Sequence, residues 1–408
     1  MVTEPATAAH PILAAAQAIL PEVIEVRRRL HRRPELGLEL PETQAVIVEG
    51  LRALGLEPKL GGTSTSVVAV IEGGRPGPTI LLRGDMDALP LTEDTGLDFA
   101  SEVPGVMHAC GHDTHVAMLL GAARLLVERR DELAGRVLLM FQPGEEGPHG
   151  ARLMLEEGLL EEGPHGAGDV QRAVAIHIST RYAAGKILLR PGALMASADE
   201  FRGTVRGRGG HASSPHLSLD PIPTAAELVL ALQLAVTRTI DVFDPAVLTI
   251  GRISGGTTNN IIPEIVEIEG TIRTVSPKAR ETMHNLVRRV ARGVGATHGT
   301  HVDLEVIHGY PVTMCDPEVT EWVRGLAIGI AGDDHVHVLA HPIMGAEDFS
   351  YVTERVPGMM AFLGARPPTE DPATAPQNHS NLVVFDEPSM AVGVALYAAA
   401  ALDFLRDG

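Results

Sequence analysis

Short strand-like runs alternate with helical stretches through the first part of the chain, and this alternation limits the possible folds more than any other feature. Strands are predicted at Val67–Ile71, Thr79–Arg83, Val137–Phe141 and Ala173–Ile176. Two helices are predicted within residues 11–55, on either side of the loop Arg33-Pro34-Glu35-Leu36-Gly37. Another is predicted from about Asp113, with Asp113 or Thr114 as its cap, and a further one at Ala151–Glu157. Strands that alternate with helices predict an α/β sheet with substantial parallel pairing. Polar residues collect just past the strands: Asp85 and Asp87 after Thr79–Arg83, Glu145 and Glu146 after Val137–Phe141, His177 after Ala173–Ile176. Open α/β sheets bind ligands outside the carboxyl ends of their strands, so three separate loops are predicted to converge on one crevice.

From about residue 193 the texture changes. The order becomes strand Glu200–Arg206, helix Pro221–Ile240, strand Ala246–Ile253, strand Glu264–Thr274, helix Pro277–Val294, strand His301–Ile307. A β-α-β-β-α-β order is the ferredoxin-like pattern and predicts a compact inserted domain. After about residue 310 the α/β texture returns, with a loop over Arg366–Gln377 and a long helix from Asp386 or Glu387 to Leu405. The predicted division is therefore one discontinuous domain, 1–192 with 309–408, and an inserted domain, 193–308. A chain of 408 residues has room for both.

Charge and cysteine content narrow the function. A net charge of −19 argues against a nucleic acid or an anionic membrane as partner. The two cysteines, Cys110 and Cys315, make no disulfide framework and point to a reducing compartment. The apolar run Ile12–Leu20 precedes the basic cluster Arg27–Arg33, the reverse of a secretory signal, and Val392–Leu402 is too short to cross a bilayer. A cytoplasmic protein is expected.

The chemistry concentrates in Met107-His108-Ala109-Cys110-Gly111-His112-Asp113-Thr114-His115 and in Gly144-Glu145-Glu146-Gly147. Cys110 in a Gly/His-rich loop before a helix is a candidate metal ligand; the plain alternative is a buried structural thiol. His112 can reach the same centre, with His108 and His115 as competitors. Of the adjacent Glu145 and Glu146, one can hold a metal while the other faces water, the division that metal-assisted hydrolysis needs. They can equally be a solvated loop or the acidic start of a helix. His177 and His379 are further candidates. Asp85 and Asp87 can be ligands, orienters of ligands or turn formers. The chain has no Gly-x-Ser-x-Gly elbow and no His-Glu-x-x-His, which disfavours a serine hydrolase and a zincin.

Several long motifs stand in one order. They are Arg29-Leu30-His31 with Pro34 to Gly37, Arg83 to Pro90, Met107 to His115, Gln142 to Gly147, Gly209 to His216, Gly255-Gly256-Thr257 with Asn260 and Ile262-Pro263, and Gly345-Ala346-Glu347-Asp348-Phe349. In order and spacing the set resembles the M20 metallopeptidase family, in its branch of amidohydrolases acting on N-acyl-amino acids. That branch includes hippurate hydrolases and indole-acetyl-amino-acid hydrolases. The resemblance implies a zinc-peptidase-like catalytic domain with a central mixed sheet, plus an inserted ferredoxin-like α+β domain that serves as lid and dimer contact. It implies two divalent ions, held by Cys110, His112, Glu146, His177 and His379, with the cysteine bridging. Glu145 matches the general base and Asp87 an aspartate that orients a ligand histidine. His211 matches a histidine that stabilises the oxyanion and in this family can reach a neighbouring subunit's site. Asn260, Arg273 and Gly345 match substrate-binding positions, Arg273 for the substrate carboxylate.

The donor set suits zinc, with cobalt, nickel and manganese as alternatives. The expected partner is a small N-acyl-amino acid or short peptide, and the expected assembly a homodimer or homotetramer through the inserted domain. A carboxypeptidase or dipeptidase, an N-acetyl-diaminopimelate deacetylase and a non-catalytic relative are competing readings. The chain departs from the family's usual pattern twice: Thr180 and Asn381 stand where proline is usual.

Overall fold

The computed structural model describes residues 10–163 and 165–406. In chain order the principal elements begin with α1 (Pro11–Arg32), α2 (Pro41–Ala53), β1 (Lys59–Leu60), β2 (Val67–Glu72), β3 (Arg75–Asp85), α3 (His112–Val127), β4 (Ala134–Gln142) and α4 (Gly150–Glu156). There follow β5 (Val170–Ala183), β6 (Ile187–Leu189), β7 (Ala198–Arg206), β8 (Gly210–His211), α5 (Pro221–Thr239), β9 (Ala246–Gly255), β10 (Ile261–Ile262), β11 (Ile265–Thr274), α6 (Pro277–His298) and β12 (His301–Tyr310). The last are α7 (Pro317–Ala331), β13 (Val336–Val338), β14 (Gly358–Arg366) and α8 (Met390–Phe404). The chain divides into two compact units, one of Met1–Gly192, Met314–Ala340 and Tyr351–Gly408, the other of Ala193–Thr313 and His341–Ser350. The segment His341–Ser350, which holds Gly345, thus joins the second unit, whereas the sequence-based boundary assigns it to the outer segments.

Among the described residues the first unit carries an eight-stranded mixed sheet in the order β1-β2-β4-β3-β5-β14-β6-β13. Its centre is parallel: β3 pairs in parallel with both β4 and β5, and β14 in parallel with β5. Residues Ile80 to Asp85 of β3 are buried one after another, as expected of a strand covered on both faces. Helix α3 is likewise buried all round, with 14 of its 16 residues inside, and it packs with α1 and α8. Tyr397 of α8 fixes two central strands at once. Its hydroxyl donates to the Arg83 carbonyl at 2.6 Å and accepts the Ile176 N–H at 2.8 Å.

Three local expectations need correction. Helix α3 starts at His112, and its cap is Gly111 rather than Asp113 or Thr114. Gly111 has φ 88°, and a Cβ there would stand 2.5 Å from Ile178 Cγ2 and 2.9 Å from Phe385 Cζ. Only glycine satisfies both the left-handed backbone and the close approach. His177 lies inside β5 rather than beyond its end, because β5 continues to Ala183 alongside β14 after its pairing with β3 stops at Ala175. The last helix begins at Met390, preceded by a tight turn over Glu387–Ser389 in which Asp386 accepts the Ser389 N–H at 3.0 Å.

The second unit holds a four-stranded antiparallel sheet in the order β9-β11-β7-β12, with α5 and α6 packed on it. Counted within the unit this is the order 2-3-1-4, as a β-α-β-β-α-β chain produces. Burial alternates along β11, apolar inward, which fits one covered face. Both helices start at side-chain caps: Asp220 accepts the Ile222 N–H at 3.0 Å and Ser276 accepts the Ala279 N–H at 2.9 Å. The buried Asp199 ties α6 to the sheet. It accepts two bonds from Arg280, at 2.9 and 2.7 Å, and the Gly309 N–H at 2.9 Å, and it lies 2.8 Å from His284 Nε2. Burial works against its charge, yet His284 and Arg280 hold the carboxyl well below its ordinary range.

Candidate metal centre

Parallel pairing brings the polar loops to one end of the sheet. β4, β3, β5 and β14 are consecutive neighbours, and Asp85 at the end of β3 pairs with Gln142 at the end of β4. Glu145 and Glu146 follow three and four residues beyond β4, and Cys110 directly precedes the Gly111 cap of α3. His177 comes from β5, and His379 from the loop between β14 and α8.

The five residues expected to hold metal do meet. Cys110 Sγ lies 3.4 Å from His177 Nε2 and 3.3 Å from His379 Nε2, and His379 Nε2 lies 3.2 Å from Glu146 Oε1. Candidate donor atoms of Cys110, His112 and His177 fall within 4.8 Å of one another, and so do those of Cys110, Glu146 and His379. Ligands about 2.0–2.3 Å from one ion lie at most about 4.6 Å apart, so each trio needs only slight contraction to hold a cation. Cys110 is the member common to both. His112, Glu145 and Glu146 form a further trio of the same tightness.

His177 already has the form a ligand needs. His177 donates from Nδ1 to the Ile178 carbonyl at 2.7 Å, which leaves a lone pair on Nε2, the atom aimed at Cys110. Burial, and then His115, hold this imidazole well below its usual pKa, so it is neutral as a ligand must be. Hydrogen bonds with Cys110 and Glu146 push His379 up to about 10. Burial opposes charge on His112, but Asp85 and Cys110 raise it well above its usual value. Both upward shifts have one cause: thiol and carboxylates surround these rings and favour positive charge there. Both ring nitrogens of His112 are buried without a hydrogen bond, 3.4 Å from Asp85 and 3.4 Å from Asp87 but poorly aligned with them. A thiol, three imidazoles and two acids gathered this closely fit a pair of divalent cations, whose binding displaces the protons that His112 and His379 favour.

The surroundings fix these groups. Asp87 accepts the Glu145 N–H at 3.0 Å with one oxygen and the Glu146 N–H at 3.0 Å with the other. It therefore fixes the backbone of both glutamates, whose carboxylates come together near His112, beyond its own contact with that ring. His115 is not a ligand candidate in this arrangement. Its Nε2 accepts the Ile178 N–H at 2.8 Å and its Nδ1 donates to Asp85, so neither nitrogen has a lone pair to offer. Asp85 is paired with Arg83 at 2.7 Å as well. His108, the other competitor, is buried without a hydrogen bond, belongs to none of the donor trios, and is lowered to about 3 by burial. Two supports escaped the sequence reading. Asp113, next to His112, is gripped by Arg27 Nε and His31 Nδ1, each at 2.8 Å. Asn378, next to His379, binds the backbone on three sides.

His379 carries φ 70°, a left-handed backbone unusual for a residue with a side chain, and its N–H donates to the Ala109 carbonyl at 2.9 Å. Such strain is held only where the surroundings enforce it. Of the two departures from proline, Thr180 uses both donors that proline lacks, its N–H to Asn378 Oδ1 at 3.2 Å and its hydroxyl to the Pro376 carbonyl at 2.8 Å. The carbonyl of Asn381 accepts the Asp94 N–H at 2.9 Å.

The second unit holds the remaining expected residues. His211 on β8 and Asn260 beside β10 line one surface pocket of about 510 Å3, and the Ala212 N–H donates to the Asn260 carbonyl at 3.1 Å. Both side chains are exposed, and His211 Nδ1 accepts the Ser213 N–H at 3.1 Å. Arg273 on β11 and Gly345 do not line that pocket. Arg273 is half-buried and, among the described residues, its side chain makes no hydrogen bond or ion pair; burial lowers its pKa. The backbone at Gly345 accepts the Ala196 N–H at 2.9 Å, and a Cβ there would press on Met195 at 3.2 Å.

Comparison with known proteins shows the family. Residues 81–403 match the model of the family described as Peptidase family M20/M25/M40. Thermostable carboxypeptidase 2 of Saccharolobus solfataricus is 39% identical over 94% of this chain and 95% of that protein. IAA-amino acid hydrolase ILR1-like 2 of Arabidopsis thaliana is 36% identical over 94% of this chain and 85% of that protein. Among solved structures, the YXEP protein of Bacillus subtilis, described as a dinuclear metal binding peptidase from the M20 family, superposes with a TM-score of 0.82. It is 34% identical and covers 95% of this chain and 99% of that one.

Proposed function

Because this chain belongs to peptidase family M20/M25/M40 and is therefore a metal-dependent hydrolase, we propose that it cleaves the amide bond of N-acyl-amino acids, releasing a carboxylic acid and an amino acid. The observation that carries this reading is the pair of donor trios sharing Cys110, with the backbone of Glu145 and Glu146 held beside them by Asp87. Cys110, His112, Glu146, His177 and His379 would hold two divalent cations, zinc by donor type, with cobalt, nickel and manganese as alternatives. Bound there, the cations supply Lewis acidity that polarises the amide carbonyl and acidifies water.

The rest is the work of the chain's own groups. Glu145 takes a proton from water as the new C–O bond forms. The C–N bond then breaks, and Glu145 returns that proton to the departing amine. His211 donates to the oxygen that gains charge, Arg273 pairs with the substrate carboxylate and Asn260 helps hold the substrate. The second unit acts as the lid and as the subunit contact.

A carboxypeptidase or dipeptidase reading keeps specific support in the 39% identity to a carboxypeptidase. Both substrate classes carry a free carboxylate next to the scissile amide, so one experiment tests the shared chemistry and separates the classes. Metal-free protein is reloaded with each cation in turn and assayed on hippurate, acetyl-amino acids, indole-acetyl-amino acids and dipeptides. N-acyl-amino acids are expected to turn over fastest, and a preference for dipeptides would overturn the narrower reading. Arg273→Ala is expected to lower kcat/KM about 10- to 100-fold on acids, the value of a charge-assisted hydrogen bond. It should leave the matching carboxamides unaffected, and an equal loss on both would remove Arg273 from this role.

The assembly is proposed to be a homodimer through the second unit. Leu230 and Leu234 of α5 are 71% and 64% exposed, and Phe243 in the turn that follows is 93% exposed. Beside them β9 is an edge strand of its sheet. Exposed apolar groups next to an unpaired strand edge suit a second copy of the same surface. Light scattering should give a dimer for the unaltered protein and a monomer for Leu234→Glu; a monomer in both would sink the assignment. We place the protein in the cytoplasm on the absence of a disulfide framework; among the described residues, no helix is long and apolar enough to cross a membrane.

A further inference from the structure

Asn378 makes a set of contacts that no role described so far uses. Its side-chain amide donates to the Cys110 carbonyl and to the Ile178 carbonyl, both at 3.0 Å, and its oxygen accepts the Thr180 N–H at 3.2 Å. The segments it joins carry Cys110 before α3, His177 on β5 and its own neighbour His379. His112 follows two residues after Cys110 on the first segment, and among the described residues no strand pairing links the His379 loop to either of the others. The loop has further ties, among them the His379 N–H to the Ala109 carbonyl and the Thr180 hydroxyl to the Pro376 carbonyl, and the left-handed φ of 70° at His379 needs enforcement. An asparagine amide offers two donors and an acceptor in one rigid plane, and here all are spent on backbone groups of two other segments, the Cys110 loop and β5.

We propose that Asn378 is a positioning residue. It sets the mutual spacing of Cys110, His177 and His379, and Thr180 completes the latch by supplying an N–H that a proline at this place lacks. This rests on the reading of those three side chains as metal ligands. The latch acts by keeping the three donors close before any cation arrives, so that binding spends less on ordering the loop. Three consequences separate it from a merely structural contact. Loss of Asn378 must weaken cation binding more than it weakens the fold. Removing the Thr180 N–H alone must reproduce part of the loss. The two changes must not add, because they break the same link.

The test titrates metal-free protein with Co2+ against a chromogenic chelator and records the thiolate-to-cobalt charge-transfer and visible bands. Asn378→Ala is expected to weaken Co2+ binding 10- to 100-fold, the usual effect of removing a group that orients a ligand, and to shift the bands. Thr180→Pro should weaken it by a smaller factor. Thr180→Val, which keeps the N–H and loses only the bond to Pro376, should bind as the unaltered protein does. The double variant Asn378→Ala with Thr180→Pro should bind no worse than Asn378→Ala. If the unaltered protein binds two Co2+ and Asn378→Ala matches it in affinity and spectrum, the latch is refuted while the metal site stands. If the unaltered protein binds no Co2+, the metal site itself is refuted and the latch with it. Should Asn378→Ala fail to fold, the comparison of Thr180→Pro with Thr180→Val decides, and equal affinity in those two refutes the proposal.

Discussion

Glu145→Gln is expected to keep both cations and to lower kcat by about 10²–10⁴-fold or more, the range that general acid–base catalysis contributes. The substitution preserves shape and leaves the backbone N–H that donates to Asp87 in place. The donors of the two trios that share Cys110 do not include Glu145, so their geometry persists. What disappears is a carboxylate able to take a proton from water and return it to the leaving amine; an amide does neither at neutral pH. Metal content by elemental analysis should match the unaltered protein, and KM should change little beside kcat. Unimpaired turnover in this variant would exclude Glu145 as the base. Loss of metal together with activity would move Glu145 into the ligand set, alongside His112 and Glu146 with which it forms a third trio.

Cys110→Ala is expected to lose both cations together, whereas His379→Ala should weaken one before the other. Cys110 is the donor that the two trios share, within 3.4 Å of His177 and 3.3 Å of His379. Without the thiolate, two divalent ions held by these trios would lose a negatively charged donor common to both and would repel each other more strongly. The expected loss of affinity exceeds the roughly 10- to 100-fold that follows removal of a supporting group outside the ligand set. Stepwise Co2+ titration reads the difference: a single weak phase for Cys110→Ala, and one tight and one weak phase for His379→Ala. If Cys110→Ala still binds one equivalent as tightly as the unaltered protein, Cys110 serves one ion only and the shared role fails.

Cys315 makes the contrast. It is the other cysteine of the chain, equally buried, and burial pushes its thiol up to about 12. Its neighbours are backbone groups of Met360, and it belongs to none of the donor trios. Composition alone does not separate the two thiols. The Gly/His-rich loop around Cys110 does, because glycine lets the chain turn tightly and histidines supply partners within reach.

What the chain's own order fixed was the alternation of strands and helices, the β-α-β-β-α-β insert, and the loops that bear the donors. These are local: strand runs, helix caps and residues at strand ends are each written in a short stretch of chain. The tertiary structure decided which donors have lone pairs left. His115 was a competitor of His112 in the sequence, and it is removed because Ile178, 63 positions away, donates to its Nε2 while its Nδ1 donates to Asp85. Asp87 grips the Glu145 amide 58 positions on, and Asn378 reaches Cys110 across 268. His177 was expected past the end of a strand and sits inside one, since how far β5 runs depends on β14, which comes much later in the chain. Hydrogen-bond partners at such separations leave no periodicity or spacing in the sequence, and in a metal site it is those partners that decide which atoms remain free to bind.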